Sequence, residues 1–401
     1  MNKKDIKPNE KDLLIRGISS IYPSKKFLED KILKGEKVTI YLGIDPTGPT
    51  LHLGHAIPLK KLSEFQKLGH KIILLMGDFT AMIGDPTDKS AIRKQLTHKE
   101  VMSNLKNYKK QASKLISFSG KNPAQIKFNS KWLGKMNFEN VLSLASKMTV
   151  QQMLERDMFD KRIKEGKPVS IHEFMYPLMQ GYDSVAMDVD GEIGGNDQTF
   201  NMLCGRDLMK SIKNKEKFVI TMKLLEDNSG KKMGKTEGNM LALSDSADDM
   251  YGKVMSWTDG LIIPAMELCT NMSTLEIEKI SKDIESNKIN PKDAKMLLAK
   301  GIISIFYGDE KAKDAKDNWE KTFSKKEIPT DIPNIQSKRD ILLIETLIKE
   351  KIILSKNDFR RLIDEGAITN LDTNEKIKSY KHLSEKGVYR IGKKRFCKIL
   401  N

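Results

Sequence analysis

The segment Tyr41-Leu-Gly-Ile-Asp-Pro-Thr-Gly-Pro-Thr-Leu-His-Leu-Gly-His55 places two imidazoles, His52 and His55, on either side of a glycine. Only six histidines occur in the chain, and two stand here, shortly behind Asp45-Pro-Thr-Gly48. If this stretch opens a helix that follows a parallel strand, its unpaired backbone N–H groups and partial positive charge suit a phosphate. Gly54 would let a flat or anionic group approach the backbone closely. A second candidate is Lys231-Lys-Met-Gly-Lys-Thr236, where Lys232 and Lys235 are flexible cations on a glycine loop, suited to clamping a polyphosphate. In a chain with 60 lysines, that pair carries little weight alone. The third is Tyr176-Pro-Leu-Met-Gln-Gly-Tyr-Asp183. It puts Tyr176, Gln180 and Asp183 on one face of a helix, with Gly194-Gly-Asn-Asp-Gln198 close behind.

The elements that must hold these residues can be read from the punctuation between them. Residues 37–44 have strand composition and run into the breaker cluster Asp45-Pro-Thr-Gly-Pro49. Leu51, Ala56, Leu59, Leu62, Phe65 and Leu68 then recur at helical steps up to Gly69, and 71–76 is a second apolar strand. Strand, helix and strand with short Gly/Pro joints predict a βαβ unit and so a parallel α/β sheet, which binds ligands at its carboxyl edge. Helices are expected around 11–18 and over 99–115, 138–165 and 197–214, with a further strand at 185–189. Past residue 224 the strand signal fades, and 247–257, 274–287 and 291–306 read as helices. Residues 327–337, with Pro329 and Pro333, read as a linker.

The 401 residues allow two or three domains, and 39% hydrophobic with 31% charged residues is a soluble globular composition. The longest apolar run, 72–76, falls far short of the ~20 residues that span a bilayer, as do shorter ones such as 261–263. The basic start lacks an apolar stretch behind it, so no secretory signal and no membrane partner are expected. Cys204, Cys269 and Cys397 are too few and too scattered for a disulfide framework or a zinc site, which favours a reducing cytoplasm and no protein-held metal. The net charge of +16 comes from 60 Lys and only 10 Arg, a bias that an AT-rich genome writes on any surface. Its distribution is more informative. Residues 338–401 hold 16 basic and 9 acidic side chains, which points to an appendage that binds a polyanion.

Taken together, His52-Leu-Gly-His55 and Lys232-Met-Gly-Lys-Thr236 resemble the signature pair of class I aminoacyl-tRNA synthetases, with Gly234 and Thr236 replacing two serines. Tyr176, Gln180 and Asp183, the Gly194–Gln198 run and Tyr41 ahead of Asp45 narrow the resemblance to the bacterial tyrosyl-tRNA synthetase family. It extends from about residue 37 to the basic tail. The resemblance implies a Rossmann-like parallel-sheet catalytic domain over 36–224 behind a lead-in at 1–35. It further implies an α-helical anticodon-binding domain with the lysine loop over 225–330, and a small α+β RNA-binding domain over 338–401. That last module is of the kind first described in a ribosomal protein of the small subunit.

The resemblance also implies roles. Tyr41 and Asp183 would bond the substrate phenol; Asp85, Tyr176 and Gln180 the α-ammonium group; Gln198 would lie near the carboxylate. Gly43, Asp45, Gly54, Gly195, Asp197, Met233 and Lys235 would line the ATP side. Thr47, His52, His55, Lys232 and Lys235 would act on the phosphates, with Lys89 and Arg93 as weaker matches to mobile family positions. Arg360, Arg361, Lys393, Lys394 and Arg395 would meet RNA. The implied reaction joins L-tyrosine and ATP into tyrosyl-adenylate, with Mg²⁺ on the phosphates, and passes tyrosine to the 3′-terminal ribose of tRNA(Tyr), in a homodimer. The sequence leaves three rivals: a tryptophanyl-tRNA synthetase, which Tyr41 and Asp183 argue against, an RNA-binding protein on a non-catalytic synthetase body, and a nucleotidyltransferase.

Overall fold

A computed structural model describes residues 13–85, 96–226, 240–321, 332–337, 340–392 and 395–400. Six strands form one sheet in the order β1 (Ile18–Tyr22), β6 (Phe218–Met222), β5 (Gly191–Gly195), β2 (Thr39–Ile44), β3 (Lys71–Met76), β4 (Gln125–Phe128). Strands β2 to β6 run parallel, and β1 lies antiparallel on the free edge of β6. From the centre the chain winds outward through β2, β3 and β4, then returns to lay down β5 and β6 on the other side. This is the Rossmann-like winding, and its reversal falls between β2 and β5, where the carboxyl ends leave a crevice.

The expected βαβ unit is present: β2, the Leu53–Lys67 helix and β3. Helices cover both ends of β5, with Ile171–Met187 leading in and Thr199–Lys213 leading out. β6 is buried along its whole length, and β3 beyond its first residue, as expected for strands sandwiched between helix layers.

Two expected elements are corrected. The lead-in helix at 11–18 gives way, among the described residues, to a turn and then to β1, because Ile18–Tyr22 finds the open edge of β6 to pair with. The strand expected at 185–189 is instead the end of the Ile171–Met187 helix, closed by Asp188 in a left-handed conformation (φ 49°). Its apolar residues Val185 and Met187 are buried on the helix. The strand itself is the glycine-rich Gly191–Gly195, and a Cβ on Gly191 would stand 2.1 Å from the Phe218 ring. The long helical stretches also divide, 99–115 into two helices and 138–165 into three.

Between 247 and 307 the chain is helical, through Ala247–Met255, Ile262–Cys269, Thr274–Glu285 and Pro291–Tyr307, around buried Met250, Tyr251, Leu298 and Ile302. Arg16 fastens this region to the sheet's edge. Its guanidinium donates to the carbonyls of Glu267 (2.8 Å), Thr270 (2.9 Å) and Met266 (3.1 Å), at the negative end of the Ile262–Cys269 helix.

The chain divides into two compact units, residues 1–313 and 314–401. The second holds five short strands in the order β7 (Asn334–Gln336), β11 (Arg395–Leu400), β10 (Gly387–Ile391), β8 (Ile368–Asn370), β9 (Glu375–Lys376). Phe359, Leu362, Tyr389, Cys397 and Ile399 form its core with the Lys356–Asp364 helix, whose first turn is capped by Ser355 accepting from the Asp358 N–H at 3.1 Å.

Candidate active site

At the reversal between β2 and β5, side chains from six stretches of chain converge. Tyr41 points from β2 into the core, fully buried, with its hydroxyl 3.0 Å from Ser184 Oγ. Asp183, on the Ile171–Met187 helix, accepts from Trp132 Nε1 at 2.7 Å and from Asn129 Nδ2 at 3.2 Å. Burial pushes the Asp183 carboxyl well above the usual carboxylate range, against the pull of those two donors. Burial first, then the charges of Glu192 and Asp183, raises the Tyr41 hydroxyl well above 10, so it remains a proton donor at neutral pH.

Asn129 carries the network onward. Its Nδ2 also donates to Thr80 Oγ1 at 3.0 Å, Thr80 donates to Asp45 Oδ1 at 2.7 Å, and Tyr176 donates to Asp45 Oδ2 at 2.8 Å. Asp183 and Tyr176 are thus joined through three intervening residues. Gly77 makes room for the carboxylate in the middle, because a Cβ there would stand 1.9 Å from Asp45 Oδ1. Asp85 sits between Gln198 Nε2 at 2.6 Å and Arg156 Nη2 at 3.1 Å. Gln180 donates to Glu192 Oε1 at 3.0 Å.

The second part of the site is the mouth of the Leu53–Lys67 helix. His52 is its N-cap and accepts from the Gly54 N–H through Nδ1 at 3.1 Å, while His55 Nδ1 accepts from the His52 N–H at 3.2 Å. Each Nδ1 is an acceptor, so each neutral ring carries its proton on Nε2 and offers a donor there. The rings lie 3.9 Å apart between centroids. Thr47 and Gly43 are exposed nearby in sequence, while Gly195 and Asp197 follow β5 across the crevice. Backbone bonds from Leu53 N to Leu241 O (2.9 Å) and from Leu243 N to Leu51 O (2.8 Å) stitch residues 241–243 to either side of His52. The chain leaving 227–239 therefore returns directly to the histidine pair.

The sequence description for class I tRNA synthetases (W and Y) matches residues 33–324. The tyrosine–tRNA ligase 2 of Clostridium acetobutylicum is 44% identical over 398 residues, 97% of either chain. The chain belongs to the class I tyrosyl-tRNA synthetase family. The tyrosine–tRNA ligase of Thermotoga maritima is 43% identical over 380 residues, 94% of either chain. Among solved structures, a C-terminally truncated mitochondrial tyrosyl-tRNA synthetase of Aspergillus nidulans shares the fold with a TM-score of 0.66. The match spans 80% of this chain and 95% of that one at 22% identity. That of Archaeoglobus fulgidus, complexed with L-tyrosine, matches at a TM-score of 0.60 over 76% and 98%, at 20% identity.

Measured against this family's expected site, the structure brings Tyr41, Asp45, Asp85, Tyr176, Gln180, Asp183 and Gln198 to one crevice through the bonds above. Lys89, Arg93, Lys232, Met233, Lys235, Lys393 and Lys394 lie outside the described residues. In the tail, Arg360 is exposed. Arg361 is paired with Asp358 (2.7 Å) and Glu365 (3.2 Å), and Arg395 with Asp358 (3.2 Å) and the Ile352 carbonyl (2.8 Å). Sequence reasoning missed Thr80, Asn129, Trp132, Arg156, Ser184, Glu192 and Lys217. Ser184 could have been found, since it continues the face of Tyr176 and Gln180 by one more step of four. Asn129 and Trp132 have no local signal, because only the folding of β4 beside β3 brings them to Asp183.

Proposed function

We propose that the chain activates L-tyrosine with ATP and transfers it to tRNA(Tyr), with the roles distributed along the crevice as follows. Tyr41 and Asp183 take the substrate phenol, Tyr176, Gln180 and Asp85 its ammonium group, and Gln198 stands near its carboxylate. The observation that carries this is the buried pair of Tyr41 and Asp183, a donor and an acceptor held by their own polar partners, with Ile73, Leu75 and Val189 packed against Tyr41. An amino acid without the hydroxyl would leave both unpaired, which is how a site rejects it.

The tyrosine carboxylate attacks the α-phosphate of ATP, and pyrophosphate leaves. No covalent nucleophile is required, because the rate comes from alignment and from charge placed where it develops. Thr47, the Nε2 protons of His52 and His55, and Lys232 and Lys235 act on the phosphates, with Lys89 and Arg93 alongside. Gly43, Asp45, Gly54, Gly195, Asp197 and Met233 border the nucleotide. Mg²⁺ enters with ATP, whose phosphate oxygens supply much of its coordination.

Residues 225–330 read the anticodon end of the tRNA. The basic tail, 338–401, adds phosphate and shape contacts through Arg360, Arg361, Lys393, Lys394 and Arg395. A second copy of the chain covers the apolar side chains left exposed between 138 and 171, Phe138 (77%), Leu142 (55%), Val150 (63%), Ile163 (50%) and Ile171 (82%). The chain works in the cytoplasm, where the buried free thiols Cys204, Cys269 and Cys397 stay reduced. No described helix is long and apolar enough to cross a membrane.

Tyrosine-dependent ATP–pyrophosphate exchange, with tryptophan and phenylalanine as controls, tests the activation step. Repeating it after deletion of 338–401 separates the two halves of the reading. Exchange is expected to survive the deletion, while tRNA charging near physiological salt falls tenfold or more, about 1.4 kcal/mol. Undiminished charging would remove the tail from tRNA binding.

A further inference from the structure

Behind the tyrosine pocket lies a charged pair that none of the assigned roles uses. Lys217 and Glu192 are 0% and 2% exposed and directly bonded, Glu192 on β5 and Lys217 on the residue that leads into the adjoining β6. Lys217 Nζ has two more acceptors, Ser184 Oγ at 2.7 Å and the Met202 carbonyl at 3.2 Å, so each of its three protons has a partner. Isolating two charges from water is costly, and a well-packed apolar pair often serves stability equally well. The pair therefore calls for a role in the site, and its bonds supply one.

We propose that Lys217 and Glu192 are positioning residues for tyrosine selection, fixing the hydrogen-bond polarity of Tyr41 through Ser184 and of Gln180 directly. An ammonium group only donates, so Ser184 Oγ must accept from Lys217. The other partner of Ser184 is Tyr41, 3.0 Å away, and in this assignment the one proton of Ser184 goes to the phenol oxygen. Tyr41 then has its own proton to give, held on the phenol by burial and by the nearby Glu192 carboxylate and offered to the substrate hydroxyl, which in turn donates to Asp183. The chain runs in one direction, from Lys217 through Ser184, Tyr41 and substrate to Asp183, and bonds aligned in this way strengthen one another. A carboxylate only accepts, so Glu192 compels Gln180 to present its NH₂ group and turns the Gln180 carbonyl away. A carbonyl oxygen is what the substrate ammonium needs. One buried ion pair thus sets an acceptor at the ammonium end and a donor at the phenol end.

This inference rests on the tyrosine reading of the same pocket, and the experiment separates the two. ATP–pyrophosphate exchange is measured with tyrosine and with phenylalanine for the full-length wild type, Ser184→Ala, and the charge-neutral double variant Glu192→Gln with Lys217→Met. Ser184→Ala cuts the phenol branch and leaves the ion pair in place. It is expected to raise KM for tyrosine about 3- to 10-fold with KM for ATP moved by less than twofold, and to narrow the tyrosine-to-phenylalanine ratio of kcat/KM by the same factor. The double variant narrows that ratio at least as far. A purely structural role would depress both amino acids together and leave their ratio at the wild-type value, and that result in Ser184→Ala overturns the proposal. A wild type without tyrosine-dependent exchange overturns the functional reading and this assignment with it.

Discussion

At the end of the crevice proposed to hold the phenol, Tyr41 and Asp183 are buried, and the groups that orient them lie 51 to 143 residues away in sequence. At the end proposed to hold the phosphates, His52 and His55 are half-buried, and the bonds that fix their tautomers span two and three residues. The first arrangement suits recognition of one fixed shape, since every group is set before the ligand arrives and water is excluded. The second suits a nucleotide that must enter, react and leave as pyrophosphate. A helix mouth supplies N–H groups and dipole without closing around the ligand. On the proposed reading, specificity and turnover thus fall to different kinds of structure, a buried cluster around β2 and the helix mouth that follows it.

Removing Asp183 should break the buried end most severely. Asp183→Ala strips the acceptor from Trp132, Asn129 and, on the proposed reading, the substrate hydroxyl at once, and each buried donor left unpaired costs about 1–3 kcal/mol. Tyrosine kcat/KM in exchange is expected to fall on the order of 10²- to 10³-fold, and phenylalanine kcat/KM far less. Equal losses for both would mean that Asp183 holds the fold and does not read the hydroxyl.

The exposed end should respond in the opposite pattern. His52→Asn keeps an N-cap side chain, so the Leu53–Lys67 helix retains its first-turn bond and the thermal midpoint stays close to that of the wild type. What is lost is the Nε2 donor, worth about 10²-fold in the rate of adenylate formation if it meets charge that grows in the transition state. Pre-steady-state rates should therefore drop while tyrosine affinity holds. An unchanged rate would remove His52 from the chemistry.

The same contrast explains what the amino-acid order reveals. The helix mouth is local, so Asp-Pro-Thr-Gly and His-Leu-Gly-His expose it, as does the Gly/Pro punctuation of the βαβ unit. The tail helix behind Ser355 has an equally local signal, its capping serine and Gly366, which stands at a φ of +59°. Val185 and Met187 misled because an apolar helix end buried between layers has the composition of a strand. β5 was hidden for the converse reason, since three of its five residues are glycines demanded by close neighbours. The Lys217–Glu192 pair spans 25 residues with no periodic relation, and β1 was invisible until β6 offered it an edge. Contacts made by tertiary closure leave no spacing to read.

His70 gives the finest test of local against buried histidines, because it lies just past the same helix that His52 opens. It is 2% exposed, and its Nδ1 accepts from the Val38 N–H at 3.3 Å. Burial, helped by the charge of Lys37, lowers its imidazole to about 4. The unfolded chain would protonate this ring near 6.5, so stability from the neutral form is intact above 6.5 and is lost as pH falls toward 4. Asp183 works the other way: its carboxyl is raised by burial, so the folded state holds that proton more firmly as pH falls. The measurement that isolates His70 is therefore the difference between wild type and His70→Asn in urea midpoint at pH 7 and at pH 5. Wild type should lose about 1 kcal/mol more than the variant over that interval, discounted for partial solvent screening. Exchange at pH 7 should remain within about twofold of wild type, as for a group whose proton serves packing alone. A large loss of exchange would instead tie His70 to the phosphate end and dissolve the distinction between the two kinds of histidine.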